Sequence, residues 1–204
     1  MTLPMEAIAR RALQQATKPA HERLHSNVAF AALLRGDLEL PAYRRLLVCL
    51  LGLHEPIEQS LGRLRADPLL AWRCAGAHMS RAGLLCTDLA VLGFGPLEIE
   101  AAPRAHALLP PLLDTASALG CAWVVEGSAL GGRVMSAKVD AMLSQTHETG
   151  GGAFFSSDPD QPARWRGCCE AVEACSAQPD GLSAMTRAAM TTFAAFETWL
   201  GASN

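Results

Sequence analysis

Three glycines stand in a segment whose apolar spacing is otherwise that of a helix. Residues 124–135 read VVEGSALGGRVM, and the glycines are Gly127, Gly131 and Gly132. Glycine inside a helix costs roughly 1 kcal/mol relative to alanine, so it is kept where something approaches the backbone closely or the helix bends. Gly127 and Gly131 are four residues apart and share a face. The segment therefore indicates either close helix–helix packing or a flat ligand lying against bare backbone.

Two histidines are the other candidates for chemistry near one end of the chain. His21 and His25 are one helical turn apart, and Leu24 and Val28 form an apolar stripe beside them. A neutral imidazole is a good ligand for iron or zinc. No third ligand accompanies the pair in the sequence, which argues against a zinc site.

Together the two segments resemble the haem oxygenases, in particular the short bacterial forms associated with bacteriophytochromes. In that family an A-T-x-x-x-H helix supplies the proximal iron ligand, and here residues 16–21 read ATKPAH. An E-G-S-x-L-G-G helix covers the other haem face, and here residues 126–132 read EGSALGG. Further family landmarks follow in family order over most of the chain: residues 43–47, 55–58, Arg81, Asp88–Leu89, Gly93, Phe154–Phe155 and 193–200.

The resemblance implies an all-α, single-domain fold over residues 1–204, with haem held between a proximal helix and a glycine-rich distal helix. It implies cleavage of haem to biliverdin, carbon monoxide and ferrous iron, with haem as both cofactor and substrate. His21 is then the iron ligand, and the catalytic positions of the distal helix are Gly127, Ser128, Gly131 and Gly132. Bare backbone there offers no acid that would cleave oxygen in the manner of a peroxidase. The implied partners are an electron donor, such as a ferredoxin or a flavoprotein reductase, and a bacteriophytochrome that accepts the bilin.

One position departs from the animal members of this family. They have an aspartate after the first glycine, which organises the water that delivers protons, whereas this chain has Ser128. Serine can hold a water but cannot supply a strong acid. For the haem propionates and the pocket wall, the resemblance points to Lys138, Arg133, Arg166 and Trp123. Each of the three basic residues can equally be a solvated helix charge, and Trp123 can equally be a core residue.

Composition excludes several classes of protein. Half of the 204 residues are hydrophobic, mostly Leu, Ala and Met, which favours helices over strands. The net charge of −3 and the absence of a basic run argue against nucleic-acid binding. No apolar stretch reaches the roughly 18–20 residues of a membrane span, and no secretory signal is evident. Seven cysteines without a C-x-x-C pair indicate the reducing cytoplasm.

The apolar spacing predicts helices almost throughout the chain. Pro19 fits either a kink within one helix or the first turn of a new one. Breaker residues such as Asp67-Pro68 and residues 93–96 divide the rest. The predicted helices span residues 4–17, 42–66, 67–93, 103–109, 112–144, 163–177 and 182–200.

Two other functions fit the same residues. The chain can bind haem for storage or sensing without turnover. It can also be a thiaminase-like helical enzyme, whose fold is similar but whose chemistry uses a cysteine; Cys121, close to the glycine segment, is then the candidate nucleophile.

Overall fold

Eight α-helices and two short 3-10 segments make up the part of the chain that the structure describes. This computed structural model describes residues 8–74, 80–147, 150–156 and 158–202, with the backbone alone at Cys74 and residues 131–133. No strand occurs in these ranges, and the predicted all-α fold is confirmed. The helices are α1 Ile8–His25, α2 Val28–Arg35, α3 Leu40–Gly62, α4 Arg81–Val91, α5 Pro96–Ala101, α6 Thr115–Gln145, α7 Gln161–Ser176 and α8 Gly181–Ala202, and the 3-10 segments are Pro68–Cys74 and His106–Leu108.

The prediction that the first helix ends at Thr17 is wrong. Helix α1 continues through Pro19 to His25. The Thr17 hydroxyl donates a hydrogen bond of 2.7 Å to the carbonyl oxygen of Leu13, one turn back. Pro19 lies on the exposed side of α1, where water can satisfy the carbonyl that its missing N–H leaves unbonded. His21 and His25 therefore belong to one helix and share its face.

The single helix predicted for residues 67–93 is wrong. A 3-10 segment and α4 replace it, and residues 75–79 between them lie outside the described ranges. Helix α4 has its own start, because Ser80 caps it by accepting a hydrogen bond from the Gly83 amide at 2.8 Å. The Glu58 carboxylate of α3 also accepts the amide of Arg81 at 2.6 Å and that of Ala82 at 3.3 Å. A negative charge on free helix N–H groups favours a helix start at this point.

The helix predicted for residues 103–109 is also wrong. Helix α5 lies before this range, and a 3-10 turn, His106–Leu108, takes up only part of it. Pro96 occupies the first turn of α5, and the Glu98 side chain accepts the Gly95 amide at 2.7 Å. A proline in the first turn and an acidic side chain that accepts the amide before it both favour a helix start at this point. The helices predicted at 42–66, 112–144, 163–177 and 182–200 are confirmed as α3, α6, α7 and α8, with shifts of a few residues at their ends.

Helix α6 is the centre of the packing. It lies against α7 and α8. Helix α1 also packs on α7 and α8, and α3 packs on α4. Gly120 allows the closest approach, because a Cβ at this position would collide with the carbonyl oxygen of Met185 in α8. Close packing of helices is therefore one real use of glycine in α6. In the described ranges no helix has the length and apolar character needed to cross a bilayer.

Two buried side chains fix the loop between α6 and α7. The Asp88 carboxylate accepts the backbone amides of Ala153 and Phe154, both at 2.8 Å. The Tyr43 hydroxyl donates to the carbonyl oxygen of Gly151 at 2.7 Å. Burial raises the pKa of Asp88, and the two amides oppose this by stabilising the carboxylate. These bonds hold the neighbouring aromatic pair, Phe154 and Phe155, in the interior.

Candidate functional site

A cleft that opens to solvent lies between α1 and α6. Its walls are mostly aromatic and aliphatic, and its few polar side chains are histidines, one serine and one arginine. The lining residues are His21, Leu24, His25, Phe30, Leu50, His54, Arg81, Val124, Gly127, Ser128, Met135, Phe154, Phe155, Phe193 and Phe196. Such a lining suits a large, flat and mostly apolar ligand with a few polar contacts.

His21 lies at the mouth of this cleft on α1. Its Nε2 atom is 3.2 Å from Nε2 of His25, and the two ring centroids are 4.4 Å apart. The edge of Phe193 meets the ring at a centroid distance of 6.2 Å. Partial burial, followed by the charge of His25, lowers the pKa of His21. The neutral imidazole is therefore favoured, and a neutral imidazole has the lone pair that a metal ion needs.

The opposite wall is formed by α6 at Val124, Gly127 and Ser128. Gly127 also faces α7, since a Cβ at this position would lie 3.5 Å from the Trp165 ring. Gly127 thus lies between α7 and the cleft, and a Cβ at this position would make only an ordinary van der Waals contact with Trp165. The Ser128 hydroxyl donates to the carbonyl oxygen of Val125 at 2.8 Å. The hydroxyl proton is therefore already used in a hydrogen bond within α6.

Glu126, next to this wall, anchors α6 to α7. Its carboxylate lies 3.4 Å from Nε of Arg164. Nη2 of the same guanidinium lies 2.6 Å from the Asp158 carboxylate. Gln161 donates a hydrogen bond of 3.2 Å to the Glu126 backbone carbonyl. All these groups except Asp158 are buried. Paired charges and satisfied amides at this depth fix the position of the helix beside Gly127.

The remaining predicted residues of α6 are placed less fully. Gly131, Gly132 and Arg133 belong to the helix, but the surroundings of the two glycines and the Arg133 side chain lie outside what is described. Lys138 is half-buried beside Gly36, at the end of α2, with Nζ 3.8 Å from the Cβ position of that glycine. It does not line the cleft.

Trp123 and Arg166 also lie away from the cleft lining. Trp123 is buried, and its ring packs on Trp165 at a centroid distance of 4.7 Å. Arg166 borders a separate surface depression together with Arg10 and Glu173. The fold thus brings His21, Gly127 and Ser128 to one cleft and puts Trp123, Lys138 and Arg166 outside its wall.

Two polar cleft residues were not assigned a role from the sequence: His54 in α3 and Arg81 in α4. His54 is only 2 % exposed, and its ring meets the rings of Phe154 and Phe196 at centroid distances of 5.2 and 5.8 Å. The guanidinium carbon of Arg81 lies 3.8 Å from the Phe154 ring centroid. Helical spacing is the sequence signal that could have identified His54 as an interior residue. It is four residues from Leu50 and seven from Leu47, on the buried face of α3.

Comparison with known proteins identifies the family and the fold. The sequence model of the haem oxygenase family matches residues 8–202. A search of curated protein sequences finds no match. Among solved structures, the haem complex of heme oxygenase-1 from the cyanobacterium Synechocystis is similar, with a TM-score of 0.74 and 18 % identity over 95 % of this chain and 91 % of that one. The heme oxygenase from Leptospira interrogans is similar too, with a TM-score of 0.70 and 16 % identity over 96 % and 100 %.

At these identities the solved structures establish the fold, and the family assignment comes from the sequence match over nearly the whole chain. That match includes both the histidine-bearing α1 and the glycine-bearing α6. The chain therefore belongs to the haem oxygenase family, the haem-degrading oxygenases that take haem as cofactor and substrate.

Proposed function

We propose that this chain cleaves haem to biliverdin, carbon monoxide and ferrous iron, with His21 as the iron ligand and α6 covering the other haem face. The observation that carries the proposal is that His21 and the bare backbone at Gly127 line one apolar cleft. Family membership supports haem degradation as the class of reaction. The residue roles rest on the cleft and on the family motifs.

The residues of the cleft fit a haem. A neutral imidazole stands at one side, glycine backbone at the other, and aromatic walls lie between them. His21 and the α6 backbone at Gly127 are the groups that would hold the haem, which would supply a redox-active iron centre for oxygen activation. For His21 to bind iron, its Nε2 must leave the contact with His25. Gly127 has no side chain that could place an acid at the opposite face, and the Ser128 hydroxyl donates a hydrogen bond to the carbonyl oxygen of Val125.

The haem propionates need cationic partners at the mouth of the cleft. On the family resemblance, Lys138 and Arg133 are the proposed partners, and both belong to the half of α6 beyond Gly127. The Lys138 side chain, which lies beside Gly36, must turn toward the cleft for this role. Trp123 and Arg166 remain predictions of the family resemblance, and their present positions require an indirect role through Trp165 or a movement of α7.

The reaction also needs electrons from a separate protein. A ferredoxin or a flavoprotein reductase is the proposed donor, and a bacteriophytochrome is the proposed bilin acceptor. The six cysteines whose side chains are described are all unpaired. This supports a reducing compartment, and we assign the protein to the cytoplasm.

A haem titration followed by reductant and oxygen tests the proposal. An oxygenase loses its Soret absorption and yields a bilin that can be identified by chromatography. A haem store keeps the Soret band and only binds oxygen or oxidises. Persistent haem after repeated additions of reductant would refute the proposed turnover while leaving haem binding intact.

The thiaminase-like alternative receives no support from its candidate nucleophile. Cys121 is 1 % exposed, and burial raises the pKa of its thiol to about 11. It does not line the cleft between α1 and α6. A thiol that is protonated and shielded from solvent is a poor nucleophile.

A further inference from the structure

His21 and His25 bring two ring nitrogens close together at the mouth of the cleft. Both residues belong to α1, one turn apart, and their Nε2 atoms are 3.2 Å from each other. Two nitrogens that each bind one metal ion at about 2.0–2.1 Å are about 2.9–3.4 Å apart when the angle at the metal is roughly 90–109°. The two histidines therefore already have the separation of a pair that chelates a single ion.

The same distance also fits a hydrogen bond between the two rings. In a neutral imidazole one nitrogen carries the proton and the other has a free lone pair, so one Nε2 donates and the other accepts. A ring that keeps its proton on Nδ1 offers the Nε2 lone pair to a metal instead. A cation can thus replace this hydrogen bond through a change of tautomer in one ring. Both side chains are exposed, so the ion can arrive directly from solvent.

The carboxylates beside the two histidines are paired with cations. Glu22 lies 3.8 Å from Nζ of Lys18, and Glu197 of α8 lies 3.0 Å from Nη2 of Arg23. In the described part of the chain no group of three or more histidines, cysteines and acidic residues could hold a metal ion. Water therefore has to complete the coordination, and the bound ion exchanges readily, in contrast to a structural zinc with four protein ligands.

We propose that the haem-free protein binds a divalent first-row transition metal ion through Nε2 of His21 and Nε2 of His25, and that this ion and haem exclude each other. Imidazole suits the later members of the series, Ni²⁺, Cu²⁺ and Zn²⁺. The metal site itself does not depend on the proposed function. The exclusion rests on it, because the haem iron would need the same nitrogen of His21.

Calorimetric titration of the haem-free protein with Ni²⁺, on a chain without an affinity tag, tests the site. Loss of an outer partner of a metal ligand costs about 10–100-fold in affinity, so His21→Ala and His25→Ala should each weaken binding about tenfold or more. The double variant should cost little more than either single one, because chelation needs both rings. The matched control, His106→Ala, removes an exposed histidine outside the cleft and should bind Ni²⁺ like the unmodified protein.

Haem titrations at a fixed Ni²⁺ concentration test the exclusion. At about ten times the Kd of Ni²⁺, competition for one site should raise the apparent Kd of haem about tenfold in the unmodified protein. His25→Ala should bind haem with a Kd that Ni²⁺ does not change, since its single remaining imidazole holds the ion weakly. Circular dichroism checks that the variants fold, and alanine favours the helix that carries both positions.

Equal Ni²⁺ affinity in the unmodified protein, His21→Ala and His25→Ala would overturn the site, because the ion would then be bound elsewhere. Binding at the two histidines that leaves the Kd of haem unchanged would overturn the exclusion. Failure of the proposed function has a different result. If His21→Ala bound and degraded haem like the unmodified protein, His21 would not be the iron ligand, while the Ni²⁺ titration would still decide whether the metal site exists.

Discussion

One nitrogen atom, Nε2 of His21, is the proposed iron ligand, and it lies 3.2 Å from the equivalent atom of His25. We expect His21→Ala to abolish the histidine-ligated haem spectrum and turnover, with added imidazole partly restoring both. His25→Ala is the matched control, and we expect it to retain histidine ligation because His21 then loses only a competitor for its lone pair. Absorption spectra of the two haem-reconstituted variants make the comparison. If His25→Ala lost histidine ligation and His21→Ala kept it, the iron ligand would be His25 and not His21.

Lys138 is a second prediction at the scale of one side chain. A charge-assisted hydrogen bond to a propionate contributes about 1.5–3 kcal/mol, which is enough to select one rotation of haem about its normal. Loss of that bond in Lys138→Ala should allow a second rotation and hence a second bilin isomer. Chromatography of the bilins gives the answer. A product identical to that of the unmodified protein would remove Lys138 from the site and leave Arg133 as the candidate.

Helix α6 has one glycine that permits close helix packing, Gly120, and others that we propose face the haem. At Gly127 and Gly131 we expect leucine to block turnover, more strongly at Gly131, because the side chain would occupy space between the helix and the haem. The fold should persist, as judged by circular dichroism, since α6 is held separately by the Glu126 contacts to α7. Normal bilin formation in both variants would mean that these glycines serve only the packing of helices.

Gly120, one residue before Cys121, gives a prediction about packing alone. An added Cβ would collide with the backbone of Met185, and backbone cannot move aside as a flexible side chain can. Gly120→Ala should lower the free energy of unfolding by about 1–3 kcal/mol in a urea titration. Gly62→Ala is the control, because a Cβ there has nothing within 4 Å. It should leave stability unchanged or raise it by about 0.4–1 kcal/mol. Equal effects of the two substitutions would contradict the close crossing of α6 and α8.

At the scale of the whole molecule, haem bound as proposed should link α1 and α6 across the cleft. The proposed iron ligand lies on α1 and the proposed second wall on α6. A ligand that binds only the folded chain stabilises it by about 2.7 kcal/mol at a concentration of one hundred times its Kd. Urea titrations with and without haem should show a gain of this size, and His21→Ala should lose most of it. An unfolding midpoint that haem does not move would argue against a cleft that binds haem in the folded state.

The sequence alone determined the all-α class, because helix propensity and apolar spacing depend on residues that are close together in the chain. It also determined the two motifs, since His21 and the glycines of α6 are recognisable by type and spacing within one helix each. It missed the start of α4 at Arg81, which depends on the carboxylate of Glu58, more than twenty residues away.

Only the tertiary structure decided which distant side chains meet. Tyr43 and Gly151 are 108 residues apart in the chain, and Asp88 and Phe154 are 66 apart, yet their hydrogen bonds place the aromatic wall of the cleft. The same packing puts His54 and Arg81 around Phe154 and turns Trp123 away toward Trp165. Helical spacing fixes which face of a helix is buried, but the partner of that face depends on how all the helices fill the interior together.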